Sequence, residues 1–319
     1  MGPSRDIGSG RRLVWAPKDM LGSLGELPDG PEIVGIPDDP ARDPRLGAVE
    51  FIVMPSRTAS GDPTALFAGL WDRMPSLRYV QVLSAGVDWI VGDIPSDVGL
   101  CSARGAHDVP VAEWVLAAIL AGLKEIGRFR DDMRHGHWVP QDLPELCGAN
   151  VMLLGYGSIG RAVERRLEPF EPGSVLRIAR HAREGLSTLG ALPGLLPLAD
   201  IVVVVLPLTD ATRGIVGADF LARMKSGALL VNAARGGLVD TEALSEALHA
   251  GRVHAVLDVT DPEPLPSDHP LWQAPGLLVT PHIAGASARL MERVTTLVRA
   301  QLGRFARDEP LLNVVREGY

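Results

Sequence analysis

Cysteine is scarce in this chain: Cys101 and Cys147 are the only two among 319 residues. That scarcity argues against a disulfide framework and suits a reducing compartment, with both thiols expected to be free and partly buried. Positive charge is not in excess either, since the formal net charge is −8. The balance disfavours a general nucleic-acid binder or a protein held on an anionic membrane. Long apolar runs are missing as well. The longest lie around Val115–Leu123 and Ile201–Leu208, far below the ~20 residues of a membrane span, and they read as buried elements. Met1–Gly10 has no apolar signal core and is expected to be a frayed lead-in, so a cytoplasmic protein without membrane or nucleic-acid partners is expected. His135 and His137, in R-H-G-H-W, have no third cluster of ligands, and no metal is expected. What is present is ordinary for a globular enzyme, 46% hydrophobic and 22% charged, at about two domains' length.

Short extended runs open the chain at Arg12–Ala16, Glu32–Ile36, Val49–Met54 and Tyr79–Leu83, with Pro/Gly/Asp clusters between them, as in a small α/β domain. From Pro110 to Phe129 the spacing predicts one long helix. Its nearly all-round apolarity points to burial between domains or at a subunit interface. Asp108 is placed to cap it, with Pro110 in its first turn.

Between Val151 and Gly160 the chain reads V-M-L-L-G-Y-G-S-I-G, an apolar strand entering a Gly-x-Gly-x-x-Gly turn. Arg161–Leu167 follows with helical spacing, and a second apolar stretch runs from Val175 to Ala179. That order fits a dinucleotide pyrophosphate. Gly155 permits the tight turn, Gly157 the approach of backbone to phosphate, and Gly160 the packing of helix on strand. Tyr156, Ser158 and Ile159 complete the turn, whose N–H groups and helix dipole face the anion. The alternative is a tight strand-to-helix turn that binds nothing. Apolar runs at Ile201–Leu206, Ala228–Asn232, Ala255–Val259 and Gly276–Thr280 follow, as for parallel strands covered on both faces. Helical stretches at Ala218–Met224 and Thr241–Ala250 separate them; another spans 286–307, and Leu311–Val315 closes the chain. An inserted dinucleotide domain, with both chain ends in the other domain, is the simplest layout.

Three of the later segments place a polar residue where an apolar run ends. V-N-A-A-R-G-G offers Arg235, L-D-V-T-D-P-E-P offers Asp258 and Glu263, and V-T-P-H-I-A-G offers His282. In a parallel sheet the carboxyl ends of the strands line the ligand crevice. Reduction of a 2-oxo acid needs a cation for the substrate carboxylate, which an arginine binds through two parallel hydrogen bonds. It also needs an acid for the carbonyl oxygen, for which histidine is suited. A carboxylate bonded to that histidine favours its protonated form and fixes its orientation. Singly, Arg235 reads equally as a surface ion pair, Glu263 as a loop residue and His282 as a core histidine.

These segments resemble the D-isomer-specific 2-hydroxyacid dehydrogenase family, and V-L-S-A-G-V-D at Val82–Asp88 and A-H-D-V-P-V-A-E at Ala106–Glu113 are similar to family segments too. The resemblance covers nearly everything from about residue 78 onward. It implies an α/β fold of two flavodoxin/Rossmann-like domains with doubly wound parallel sheets and an interdomain cleft, and usually a homodimer. On that pattern 1–104 with 288–319 is the substrate (catalytic) domain and 105–287 the inserted dinucleotide-binding domain. It implies Arg235, Glu263 and His282 as the catalytic set and Ser84, Ala85, Gly86 and Val87 as the substrate loop. Asp258 would contact the nicotinamide carboxamide, and Pro207 and Ala233, each after an apolar run, would also line the cofactor. Trp138 resembles a position that in some relatives reaches a neighbouring subunit's pocket; an interface or core tryptophan is the plainer reading.

The NAD-preferring pattern ends its second strand with an acid that grips the ribose hydroxyls. Here Val175–Ala179 is followed by Arg180, His181 and Arg183. Arginines bind a 2′-phosphate that a carboxylate would repel. NADP(H) is therefore expected over NAD(H), and the strand end is similar to that of NADPH-using glyoxylate/hydroxypyruvate reductases. The implied activity is NAD(P)H-dependent reduction of a 2-oxo acid, glyoxylate, hydroxypyruvate or a bulkier one, to a D-2-hydroxy acid. Phosphoglycerate oxidation is expected less, because the chain ends at Tyr319 without an added regulatory domain. The alternative is a dinucleotide-sensing regulatory protein on the same scaffold, similar to the C-terminal-binding-protein corepressors.

Overall fold

A computed structural model describes residues 11–27, 30–56 and 63–316, so the lead-in Met1–Gly10 lies outside the described residues. The chain divides into two compact units, Met1–Ala106 with Ala288–Tyr319, and His107–Ser287.

In the first unit five parallel strands lie in the order β2-β1-β3-β4-β5: β1 (Leu13–Ala16), β2 (Glu32–Gly35), β3 (Val49–Val53), β4 (Tyr79–Gln81) and β5 (Gly99–Cys101). A single turn, α1 (Leu21–Leu24), follows β1. The first four strands coincide with the extended runs of the sequence; β5 is three residues long, too short for its alternation to be legible. Alternation sorts the side chains of β1, with Leu13 and Trp15 entering one core and Val14 and Ala16 the other. The second core is completed from the far end of the chain. Val294, Val298, Leu302 and Phe305, spaced by helical turns on the helix Leu290–Ala306, pack with Val14, Phe51 and Val53. Each such side chain contributes about 1.5–3 kcal/mol on burial. Gln301 fastens the chain end there: Nε2 donates to Gln81 Oε1 (2.9 Å) and Leu312 O (2.8 Å), and Oε1 accepts from the Leu312 N–H (2.7 Å). The closing run Leu311–Val315 makes one antiparallel bridge, Val314 to Cys101.

The second unit opens with α2 (Asp108–Leu123) and α3 (Ile126–Arg134), continues through β6 (Asn150–Leu154), α4 (Ser158–Leu167), β7 (Ser174–Ile178), α5 (Leu192–Leu195), β8 (Ile201–Val204) and α6 (Ala218–Arg223), and ends with β9 (Ala228–Asn232), α7 (Thr241–His249), β10 (Val253–Leu257) and β11 (Leu277–Val279). The C-terminal helix Leu290–Ala306 is α8. The six strands are parallel in the order β11-β10-β9-β8-β6-β7. Both faces are covered. Val151, Leu153, Ile201, Val203, Leu229 and Val231 pack with α2 and α4, while Met152, Leu154, Val202, Val204 and Leu230 pack with α6 and α7. This is why the strands read as unbroken apolar runs.

Two expectations about the first helix are corrected. The stretch Pro110–Phe129 is two helices, because Glu125 takes a left-handed conformation (φ 45°) between α2 and α3. The apolar part packs down on the sheet, where Gly122 lies so close to Leu229 that a Cβ would stand 2.8 Å from Leu229 Cδ1. The polar part lies over the sheet edge, where a Cβ on Gly127 would stand 2.3 Å from Leu278 Cδ2. Asp108 is not a cap: His107 holds that position, and Asp108 Oδ1 is buried with no hydrogen-bond partner among the described residues. Trp138 is 92% exposed, which excludes the core reading of that residue. The two free thiols differ: Cys101 is buried, its thiol pushed up to about 12 by burial, and Cys147 is exposed. No helix among the described residues is long and apolar enough to cross a membrane, and no group of three His, Cys, Asp or Glu among them could hold a metal ion.

Candidate active site

Ile178, Leu154, Val204, Asn232, Leu257 and Val279 stand opposite one another across the six strands of the second sheet. The loops that follow therefore leave from one line, with about 4.8 Å between neighbouring strands. Strand order reverses between β6 and β8, the switch point at which open α/β sheets take their ligands.

The glycine turn leaves β6 at that point, and its three glycines do different work. Gly155 has φ 113°, and a Cβ there would fall 2.6 Å from the Val205 carbonyl carbon, at the end of the adjacent strand. A Cβ on Gly160 would fall 2.4 Å from Gly155 O, so helix and turn pack backbone to backbone. Around Gly157 nothing lies within 4 Å of where a Cβ would be. Gly157 is the N-cap of α4, it makes no side-chain cap, and no acid stands in the first turn. Open space in front of an uncapped helix start is what a pyrophosphate requires, so the residues present fit a dinucleotide. Ser158 and Ile159, both half-buried, form the start of that helix.

The Tyr156 side chain is turned onto the protein. Its hydroxyl donates to Glu164 Oε2, and the Arg177 guanidinium of β7 donates to Glu164 Oε1. Burial would raise the Glu164 carboxyl, but the bonds from Arg177 and Tyr156 outweigh it and hold the group below its ordinary value. Burial, then Glu164, raises the Tyr156 phenol, and the bond to Glu164 raises Arg177. Arg177 within an apolar strand was the one sign in the sequence of this triad, of which Glu164 alone is buried.

Arg180, His181 and Arg183 stand on an exposed loop directly beyond β7, closed by a bridge between Arg183 and Leu186. Pro207 follows β8, where its carbonyl accepts from the Thr212 hydroxyl (2.7 Å). Ala233 follows β9, and its N–H donates to Val204 O (3.2 Å).

The next three loops carry Arg235, Glu263 and His282. Asn232 shapes the first of them. Its Nδ2 donates to Arg235 O (3.0 Å) and its Oδ1 accepts from the Ala234 N–H (3.0 Å), while Arg235 Nη1 donates to Ala234 O (2.8 Å). Gly236 then runs against the Glu263 loop so closely that a Cβ would fall 1.9 Å from Thr260 O. Thr241 donates its hydroxyl to Asp261 O (2.7 Å) and ties the same two loops together. Glu263 Oε1 lies 2.6 Å from His282 Nδ1, with both side chains half exposed. A carboxylate accepts only, so the proton of that bond is on Nδ1 and Nε2 is the nitrogen left outside the pair. Asp258, 2% exposed, takes three donors from within the protein, the Thr280 hydroxyl and the Ile283 and Ala284 N–H groups. Sequence reading missed Thr280 and its donor Trp114.

Ser84, Ala85, Gly86 and Val87 belong to the first unit, beyond β4. There Ser84 Oγ donates to Gly86 O (2.7 Å) and accepts from Trp89 Nε1 (3.1 Å).

The model of the D-isomer specific 2-hydroxyacid dehydrogenase NAD-binding domain matches residues 116–284. The human glyoxylate reductase/hydroxypyruvate reductase is 31% identical over 250 residues, 74% of this chain and 76% of that protein. Among solved structures, a D-isomer specific 2-hydroxyacid dehydrogenase from Xanthobacter autotrophicus Py2, in complex with NADPH and MES, superposes with a TM-score of 0.81 at 30% identity, covering 98% of this chain and 100% of that one. An NADPH-dependent glyoxylate/hydroxypyruvate reductase from Sinorhizobium meliloti, in complex with NADP and sulfate, gives a TM-score of 0.81 at 27% identity over 97% of this chain and 100% of its own.

Proposed function

The chain belongs to the D-isomer-specific 2-hydroxyacid dehydrogenase family, and from that premise we propose that it reduces a small 2-oxo acid to the D-2-hydroxy acid, with NADPH preferred to NADH. The observation that carries this reading is the His282–Glu263 pair, which joins the loops after β10 and β11 at the sheet edge from which the glycine turn also leaves. A bound nicotinamide dinucleotide supplies the hydride. Arg235 holds the substrate carboxylate through two parallel hydrogen bonds. Protonated His282 gives the Nε2 proton to the carbonyl oxygen, and Glu263 keeps the ring oriented and its charge balanced. In the reverse direction neutral His282 takes the hydroxyl proton at the same nitrogen.

Arg180, with His181 and Arg183, receives the 2′-phosphate of NADP; the NADPH and NADP complexes of two related structures support that preference. Gly155 to Gly160 take the pyrophosphate, and Pro207, Ala233 and Asp258 line the rest of the cofactor. Ser84, Ala85, Gly86 and Val87 offer main-chain N–H groups to the substrate. A homodimer in the cytoplasm completes the reading; the two free thiols support a reducing compartment.

The test offers NADPH and NADH, each with glyoxylate, hydroxypyruvate, pyruvate and phenylpyruvate, and follows the loss of reduced nicotinamide. Fast turnover with NADPH on one of them supports enzyme, cofactor and substrate size together. Tight cofactor binding without turnover on any of them overturns the reductase reading in favour of a sensor.

A further inference from the structure

One carboxylate holds the His282 loop. Asp258 Oδ1 accepts from the Thr280 hydroxyl (2.6 Å) and the Ile283 N–H (2.8 Å), and Oδ2 accepts from the Ala284 N–H (2.7 Å). The main-chain carbonyl of Asp258 accepts the His282 N–H (2.7 Å). Four bonds from Thr280, His282, Ile283 and Ala284 thus end on one buried residue. Within that span His282 has φ 53°, a conformation that a residue with a Cβ disfavours and that persists only where the surroundings impose it.

The Thr280 bond depends on a residue 166 positions away. Trp114, on α2, directs its indole Nε1–H at Thr280 Oγ1 (3.1 Å). An indole nitrogen donates and never accepts. Thr280 Oγ1 must therefore accept from Trp114, and its only proton is left for Asp258. Without the indole N–H the hydroxyl is free to turn, and the carboxylate loses a donor that fixes the loop. Trp114 is carried on a sixteen-residue helix packed against β9 and β10, a firm base for such a constraint.

We propose that Trp114 is a positioning residue for His282, acting through Thr280 and Asp258. The inference rests on His282 being the acid of the proposed reaction. Trp114→Phe keeps most of the ring and removes the donor; Thr280→Val removes the hydroxyl and Thr280→Ser keeps it. Trp114→Phe and Thr280→Val are each expected to lower kcat for 2-oxo acid reduction roughly tenfold to a hundredfold, the cost of displacing a reacting group by up to an ångström. The KM for NADPH moves far less than kcat, Thr280→Ser restores most of the rate, and the double variant is no slower than Thr280→Val alone. In hydrogen exchange read by NMR, the Trp114 indole proton exchanges faster in Thr280→Val than in the wild type.

Wild-type kcat in Trp114→Phe, or single losses that multiply in the double variant, overturns the proposal. Should Trp114→Phe be too unstable to assay, Thr280→Val against Thr280→Ser decides: equal rates overturn it. His282→Gln separates the two failures. An active His282→Gln removes the acid assignment and the positioning role with it. An inactive one beside a fully active Trp114→Phe removes the positioning role alone.

Discussion

Nδ1 of His282 and Oε1 of Glu263 lie 2.6 Å apart, and this contact decides which ring nitrogen is left for chemistry. His282→Gln is expected to lower kcat by about 10²–10⁴-fold while leaving cofactor affinity nearly unchanged. Glu263→Gln keeps a hydrogen-bonding partner but not its charge, and falls between that variant and the wild type. If His282 handles the proton in both directions, reduction and oxidation should fall together in each variant. Steady-state kinetics in both directions check all three statements, and a near-wild-type kcat in His282→Gln would remove it from the mechanism.

Arg180 stands where an NAD-preferring strand end carries an acid. Arg180→Asp should raise the KM for NADPH and lower that for NADH, reversing or eroding the preference. Unchanged KM values for both cofactors would sink the 2′-phosphate assignment.

The glycines separate ligand from fold. Gly157→Ala has open space for its methyl and should leave the melting temperature close to that of the wild type, yet weaken dinucleotide binding measured by calorimetry. Gly236→Ala meets Thr260 backbone and should cost about 1–3 kcal/mol or more, with loss of activity as the Arg235 and Glu263 loops part.

Glu164 is a depressed carboxyl, its burial outweighed by Arg177 and Tyr156. The sign follows: a group below its ordinary 4.5 in the fold adds stability above that pH and loses it as pH falls through the lowered value. Glu164→Gln should therefore cost about 1–2 kcal/mol at neutral pH, a figure reduced for the partly exposed guanidinium. The gap to the wild type should narrow in acid. Equal gaps at both pH values in thermal melts would show that the charge contributes nothing.

Thiol titration should count one reactive cysteine in the native protein and two after denaturation. Cys147 is exposed, whereas burial pushes Cys101 up to about 12 despite the opposing bond from Gln301. Two fast thiols in the native state would contradict that.

The site was legible where local pattern and position coincide. Strands buried on both faces are unbroken apolar runs, so the polar residues that follow them, Arg235, Glu263 and His282, stand out. The partners of those residues do not. Trp114 reads as one more large residue in an apolar helix, and its bond to Thr280 spans 166 positions. Gln81 and Gln301 meet across 220. The break at Glu125 was equally hidden, because helix-forming residues continue through it and the left-handed position carries a glutamate where a glycine would have marked it. A strand as short as β5 leaves no period to read.

The core shared by Val14, Phe51, Val294 and Phe305 also has a bearing on biogenesis. On the ribosome the inserted unit appears as one continuous stretch and has all its strands before α8 is made. The opening strands must wait, one face of their sheet covered by little more than Met20 and Leu24, until α8 emerges. Birth order thus runs from the middle of the chain outward. Nascent chains held with α8 still inside the ribosomal exit tunnel would pair a finished second unit with an adhesive half-built first one, the stage at which a chaperone would be needed.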